Sequence, residues 1–118
     1  MIIFKNKGLH NISLIGFMGS GKSVIGKEIS KVYKVEHYDT DNEIEKDTGD
    51  SINEIFSNYG EKYFRSIEEK KCISLLKKKH CIISLGGGSI TNSKVRQMIK
   101  KYSFSIYLKV NKDILLKR

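Results

Sequence analysis

Short apolar runs alternate with wider-spaced apolar patterns along the whole 118-residue chain. "NISLIGF" is a compact run broken by Gly16, as the end of a buried strand would be. From Ser23, residues Val24, Ile25, Ile29, Val32 and Tyr33 recur with helical spacing and predict a helix. "VEHYD" reads as a second short strand. Ser51-Ile52-Asn53-Glu54 has the form of a capping box, and Gly60 is placed to end the helix it opens. A longer helix is predicted from Glu61 to Lys78, with Tyr63, Phe64, Ile67, Ile73, Leu75 and Leu76 for its buried side. "HCIISL" is a third strand, stopped by Gly86-Gly87-Gly88. Ser93 is a candidate cap for a helix through Lys100, "FSIYLKV" is a fourth strand, and Asn111 is placed to cap a last short helix.

Strands alternating with helices imply an α/β fold with a parallel sheet covered on both faces. Such folds bind ligands at the carboxyl ends of their strands. Both glycine clusters and the pair Asp39/Asp41 fall at or just after predicted strand ends, so one rim is expected to carry all three.

Composition changes this picture little. The chain has the length of one domain over residues 1–118, with 39% apolar and 30% charged residues and no run long enough to span a bilayer. The opening "MIIFKNKGLH" is too short in its apolar part for a signal peptide, so a cytoplasmic location is expected. Cys72 and Cys81 are too few and too badly spaced for a zinc site and are expected to be reduced and buried; His10, His37 and His80 show no ligand spacing. The net charge of +9 favours anionic ligands without naming one. Lys77-Lys78-Lys79 sits where basic residues offset a helix dipole, so it needs no partner. No nucleic-acid motif or membrane segment accompanies the charge, and a monomer acting on small molecules is expected.

The strongest motif is Gly16-Phe17-Met18-Gly19-Ser20-Gly21-Lys22-Ser23, which fits Gly-x-x-x-x-Gly-Lys-Ser/Thr between a predicted strand and a predicted helix. Glycines there bring backbone N–H groups close to phosphate oxygens, and the helix points its positive end at the same anion. Lys22 has the reach for the β- and γ-phosphates, and the Ser23 hydroxyl suits Mg²⁺. A nucleoside triphosphate is therefore the expected ligand. The acceptor is not identified, because ATPases, GTPases and small-molecule kinases share this loop.

Three further features bear on the acceptor. In "YDTD", strand alternation would turn Asp39 and Asp41 to one side if the strand persisted, unless Asp41 already begins the next helix. One carboxylate near Mg²⁺ and one near an acceptor hydroxyl would suit phosphoryl transfer. The alternative is that Asp41 only caps a helix running through Lys46. Arg65 and Glu68, three apart on a helix, are either a surface pair or a guanidinium pre-oriented for a substrate carboxylate. Gly86-Gly87-Gly88 either offers backbone N–H groups to a ligand or is a flexible turn.

Taken in order, "LIGFMGSGKSVIGKEI", "YDTDNEIEKDTGDSINEIF", "GEKYFRSIEEK" and "IISLGGGSI" resemble the successive motifs of the shikimate kinase family, and the likeness continues through "SIYLKV" and "ILLKR". The resemblance implies a three-layer α/β/α P-loop kinase fold and transfer of the γ-phosphate of ATP to the 3-hydroxyl of shikimate. It assigns Gly19, Ser20, Gly21, Lys22, Ser23 and Val24 to the ATP phosphates, Arg118 to the adenine, and Ser23 with Asp39 to Mg²⁺. Asp41 would hold the ring hydroxyls and orient or deprotonate the attacking one. Arg65, steadied by Glu68, would clamp the carboxylate, while Gly86, Gly87 and Gly88 would contact the ring. Ser84 would meet the water shell of the metal. Relatives continue past Arg118 into a mobile lid, a substrate-gripping arginine, a last strand and further helices. The resemblance thus implies that this chain is the front part of a longer product, with weak ATP binding and slow transfer where the lid is absent. A gluconate-kinase-like enzyme and a lid-less, non-catalytic nucleotide- or nucleic-acid-binding module are the competing readings.

Overall fold

The computed structural model describes residues 9–16 and 22–108, the side chains of residues 22 and 23 excepted. Four strands form one parallel sheet: β1 (Asn11–Gly16), β2 (Glu36–Asp39), β3 (Cys81–Ser84) and β4 (Ser103–Leu108), in the spatial order β2-β3-β1-β4. Five helices join them: α1 (Lys22–Tyr33), α2 (Thr40–Thr48), α3 (Ile52–Tyr59), α4 (Glu61–Leu76) and α5 (Ser93–Tyr102). The expected fourth strand is present; Asn111, the expected cap of a last helix, lies outside the described residues.

Two apolar layers sandwich the sheet, as alternation along its strands requires. Ile12, Leu14 and Ile82 face α1, where Ile25 and Ile29 meet them. Ile83 and Leu85 face the other way, into Cys72, Leu75 and Leu76 of α4 and Val95 and Ile99 of α5. A third cluster, Ile44, Ile55 and Phe64, fastens α2 and α3 to the start of α4. This is the three-layer α/β/α arrangement.

The inward face of α1 differs from its apolar pattern. Gly26 and Ser30 are buried, while Val24 and Val32 are 67% and 72% exposed and Tyr33 is exposed as well. Small residues let the helix approach the sheet at 26 and 30, and a residue two positions away lies roughly 200° round a helix of 3.6 residues per turn. In α4 the buried stripe is Phe64, Glu68, Cys72, Leu75 and Leu76, so a carboxylate occupies a place the apolar pattern left unfilled, and Tyr63 is exposed.

Two caps are shifted by one or two residues from expectation. Asp39, not Asp41, caps α2: its Oδ1 accepts from the N–H groups of Asp41 (3.0 Å) and Asn42 (3.2 Å). The strand therefore ends at Asp39, and Asp41 belongs to the first turn of α2 rather than to an extended pair. Asn92, not Ser93, caps α5 through its side-chain oxygen and the Val95 N–H. The Ser51–Glu54 capping box is present, and Gly60 closes α3 at φ 86°, a conformation that favours glycine.

Candidate functional site

The carboxyl ends of β1, β2 and β3 share one rim because all strands run parallel. In the β2–β3 register Asp39 lies opposite Ser84, and Ser84 also pairs with Leu14 of β1. The rim thus gathers the first residue of the phosphate-loop motif (Gly16), the Asp39 cap and the strand end before the glycine turn.

Around that turn the site is built by close approach. Thr40, fully buried, accepts a hydrogen bond at Oγ1 from the Gly86 N–H (2.8 Å), which ties the first residue of α2 to the end of β3. A Cβ on Gly86 would stand 2.9 Å from Asp41 Oδ1 and 3.3 Å from Glu68 Oε2. Only a residue without a side chain lets both carboxylates close over this backbone. A Cβ on Gly88 would collide with the guanidinium of Arg65. The glycine segment is also a defined turn, with the Ser89 N–H donating to Gly86 O (3.0 Å) and the Thr91 N–H to Gly88 O (3.2 Å). Gly87 is its exposed member.

Arg65 Nη1 donates to Glu68 Oε1 at 2.9 Å. The arginine side chain is 41% exposed and the glutamate 5%, so the carboxylate anchors the pair and the guanidinium faces outward. Phe64 lies under the guanidinium at 5.4 Å and packs on Phe56 at 4.8 Å between ring centroids. The geometry is a planar cation held on one side by Glu68, packed close to Gly88 and left part-exposed, an arrangement suited to a carboxylate ligand.

On the α1 side, His37 Nε2 and Ser84 Oγ are hydrogen-bonded at 2.8 Å. Burial holds the His37 imidazole below its ordinary value of 6.5, outweighing the nearby Asp39 carboxylate. Beside α4, burial pushes the Cys72 thiol up to about 12, and its S–H donates to Ser89 Oγ at 3.6 Å. That thiol is a core group without nucleophilic character at neutral pH. Both cysteines are free and buried.

Of the residues singled out from the sequence, Asp41, Arg65, Glu68, Gly86 and Gly88 come together in one corner, and Asp39 and Ser84 sit side by side on the rim. Val24 is exposed in the first turn of α1. Gly19, Ser20, Gly21 and Arg118, and the side chains of Lys22 and Ser23, lie outside the described residues. Sequence reasoning missed Thr40, Phe56 and Gly26. Thr40 could have been suspected from its place between two aspartates, whereas Gly26 shows its purpose only once three elements meet around it.

Comparison with known proteins agrees with this geometry. A family model described as shikimate kinase matches residues 18–118. A shikimate kinase of Bartonella quintana (strain Toulouse) is 47% identical over 105 residues, which cover 89% of this chain and 50% of the relative. One from Clostridium botulinum (strain 657 / Type Ba4) is 47% identical over 110 residues, covering 93% of this chain and 65% of the relative. Among solved structures, the shikimate kinase from Acinetobacter baumannii in complex with shikimate superposes with a TM-score of 0.87 at 34% identity, over 99% of this chain and 64% of that one. The Aquifex aeolicus enzyme gives 0.83 at 36% identity, over 92% and 64%. The chain thus spans between half and two thirds of the length of these relatives. With the family model matching most of its length, and the rim, glycine turn and arginine–glutamate pair in place, the chain belongs to the shikimate kinase family.

Proposed function

We propose that this chain carries the nucleotide- and substrate-binding core of an ATP-dependent shikimate kinase, which moves the γ-phosphoryl group of ATP to the 3-hydroxyl of shikimate. The observation that carries this reading is the corner at Gly86–Gly88. There Arg65, held by buried Glu68, presents a fork for a carboxylate, and Asp41 stands beside it for ring hydroxyls. Shikimate combines one carboxylate with several ring hydroxyls, the chemistry these side chains complement.

In this reading Arg65 binds the carboxylate and fixes the ring, and Asp41 accepts a hydrogen bond from the attacking hydroxyl. Gly86, Gly87 and Gly88 let the ring lie against backbone. The hydroxyl oxygen forms a bond to the γ-phosphorus as the bond to the β–γ bridging oxygen breaks. ADP leaves, and the hydroxyl proton passes to Asp41 or to solvent. Such transfer depends chiefly on positioning and charge neutralisation, so Asp41 acts by orientation more than by basicity. To Gly19, Ser20, Gly21, Lys22, Ser23 and Val24 this reading assigns the phosphates, and to Arg118 the adenine.

Asp39 is a hard oxygen group of the kind Mg²⁺ prefers and with Ser23 would hold it, while the hydroxyl of Ser84, its register partner, would meet the water shell of the ion. When bound, Mg²⁺ neutralises phosphate charge. The same reading has the enzyme act as a cytoplasmic monomer on small molecules; among the described residues no helix is long and apolar enough to cross a membrane.

The test is ADP formation with and without shikimate, in this chain and in the chain continued to the length of its relatives, against a panel that includes gluconate. Shikimate-dependent ADP release in the longer form is expected. Release that ignores shikimate, or that follows gluconate, would overturn the reading.

A further inference from the structure

Gly26, His37 and Ser84 come from α1, β2 and β3 and meet at one point. A Cβ on Gly26 would collide with the imidazole of His37 and stand 2.9 Å from Ser84 Oγ. The glycine therefore makes room for a hydrogen bond between the other two, at 2.8 Å. His37 lies two residues before Asp39, so strand alternation puts both on the α1 side of β2, and both line one cleft with Lys27 and Asn42. Ser84, 1% exposed, is the register partner of Asp39 and of Leu14. Its hydroxyl therefore stands between the strand that leads to the phosphate loop and the strand that ends in the Asp39 cap.

A serine hydroxyl has one proton, and an imidazole nitrogen decides where it points. With a bare Nε2, Ser84 donates to His37 and turns its lone pairs elsewhere. With Nε2–H, Ser84 accepts and keeps its proton for another acceptor. His37 thus decides whether the Ser84 proton is spent on the imidazole or left for another acceptor. An apolar residue at 37 would leave the buried hydroxyl without this bond, and any side chain at 26 would push the ring away.

We propose that His37 is a positioning residue for the metal–phosphate end of the site: it orients the Ser84 hydroxyl toward the water shell of the nucleotide-bound Mg²⁺, in a slot kept open by Gly26. The inference rests on the phosphate-site reading above and adds to it a residue outside the phosphate-loop motif. A polar pair that merely closes the core would have the same bond length, so the test must read the metal rather than stability.

ADP binding to the 118-residue chain is measured by calorimetry with Mg²⁺ and with EDTA, for the unaltered protein and for Ser84→Ala, His37→Leu, His37→Gln and the Ser84→Ala/His37→Leu double variant. Circular dichroism checks folding. Losing one oriented hydrogen bond to a charged group predicts that Mg²⁺ enhancement of ADP affinity falls roughly five- to tenfold in Ser84→Ala and in His37→Leu, with EDTA affinity within about twofold. The double variant should match the single ones, since both substitutions remove one interaction. Glutamine, whose amide reaches the place of Nε2, should restore most of the enhancement. Equal losses with and without Mg²⁺, multiplicative effects in the double variant, or an unchanged enhancement would each overturn the role of His37. No Mg²⁺ enhancement in the unaltered chain would instead overturn the phosphate-site reading, and the inference with it. If His37→Leu does not fold, His37→Ala replaces it beside His37→Gln: an enhancement lost in alanine and kept in glutamine supports the role, whereas an enhancement kept in alanine, or lost equally in both, refutes it.

Discussion

At the amino end of the sheet, Asn11 is fully buried and spends its side-chain N–H groups on the carbonyls of Leu76 (2.8 Å) and Lys78 (2.9 Å), the unsatisfied end of α4. His10 stacks on Tyr102 nearby, its backbone N–H donating to Tyr102 O at 2.7 Å. At the carboxyl end, Glu68 is as deeply placed, but it holds a half-exposed guanidinium, and Thr40 fixes a glycine turn beside Asp41. At the first end the Asn11 donors close on backbone carbonyls, while Asn11 Oδ1 and His10 Nδ1 are buried with no hydrogen-bond partner among the described residues. At the second they close on one another and leave the Arg65 guanidinium part-exposed beside Asp41. The contrast teaches that burial alone does not separate structural from functional polar residues; what matters is whether their hydrogen bonds end inside the fold.

The contrast can be broken by substitution. Asn11→Ala strands two carbonyls at the end of α4 and should cost about 2–3 kcal/mol, seen as a fall in Tm on the order of 10 °C, with shikimate affinity of the folded protein unchanged. A matching loss of affinity would show that the two ends are not independent. Gly88→Ala should do the reverse. Gly88 has φ −91° and ψ −7°, open to alanine, so the new methyl acts only by displacing the Arg65 guanidinium. Calorimetry should show shikimate affinity down about tenfold, with stability within roughly 1 kcal/mol. Glu68→Gln keeps the shape but removes the charge that anchors Arg65; a loss of about three- to fivefold in affinity is expected.

Cysteine reactivity gives the smallest signal and reports on both ends. Burial raises Cys72 to about 12 and Cys81 to about 11, so neither is a thiolate to any useful extent at pH 8. Both should resist alkylation in the native protein and react fully in denaturant. Cys81 pairs with Asn11 in the β1–β3 register, so Asn11→Ala should speed its alkylation while Gly88→Ala leaves it protected.

Much of this was legible in the sequence, for local reasons. Apolar runs ended by glycine marked β1 and β3, and the Ser51–Glu54 box marked the start of α3, because strand ends and caps are short-range chemistry. Arg65 and Glu68 were visible as neighbours because three residues is nearly one helical turn. What escaped depends on packing. Asp39 rather than Asp41 caps α2 because the strand stops at Asp39, two residues short of what an alternating Asp39/Asp41 pair would need. Glu68 completes the buried stripe of α4 because Arg65 offsets its charge, which an apolar count overlooks. Gly26 and His37 gain meaning only where α1, β2 and β3 converge, residues that lie up to 58 positions apart (84 − 26).

The corner at Gly88 is the centre of the account, and the most direct test of it is calorimetric titration of shikimate into the unaltered chain and into Arg65→Ala. Saturable binding to the unaltered chain is expected, weakened about 10- to 100-fold in Arg65→Ala, as loss of a charge-assisted fork would do, with a lower Tm because buried Glu68 loses the charge that offsets its own, and with the protein still folded at the temperature of the titration. Equal affinity in the two proteins, or a loss explained by unfolding, would contradict it.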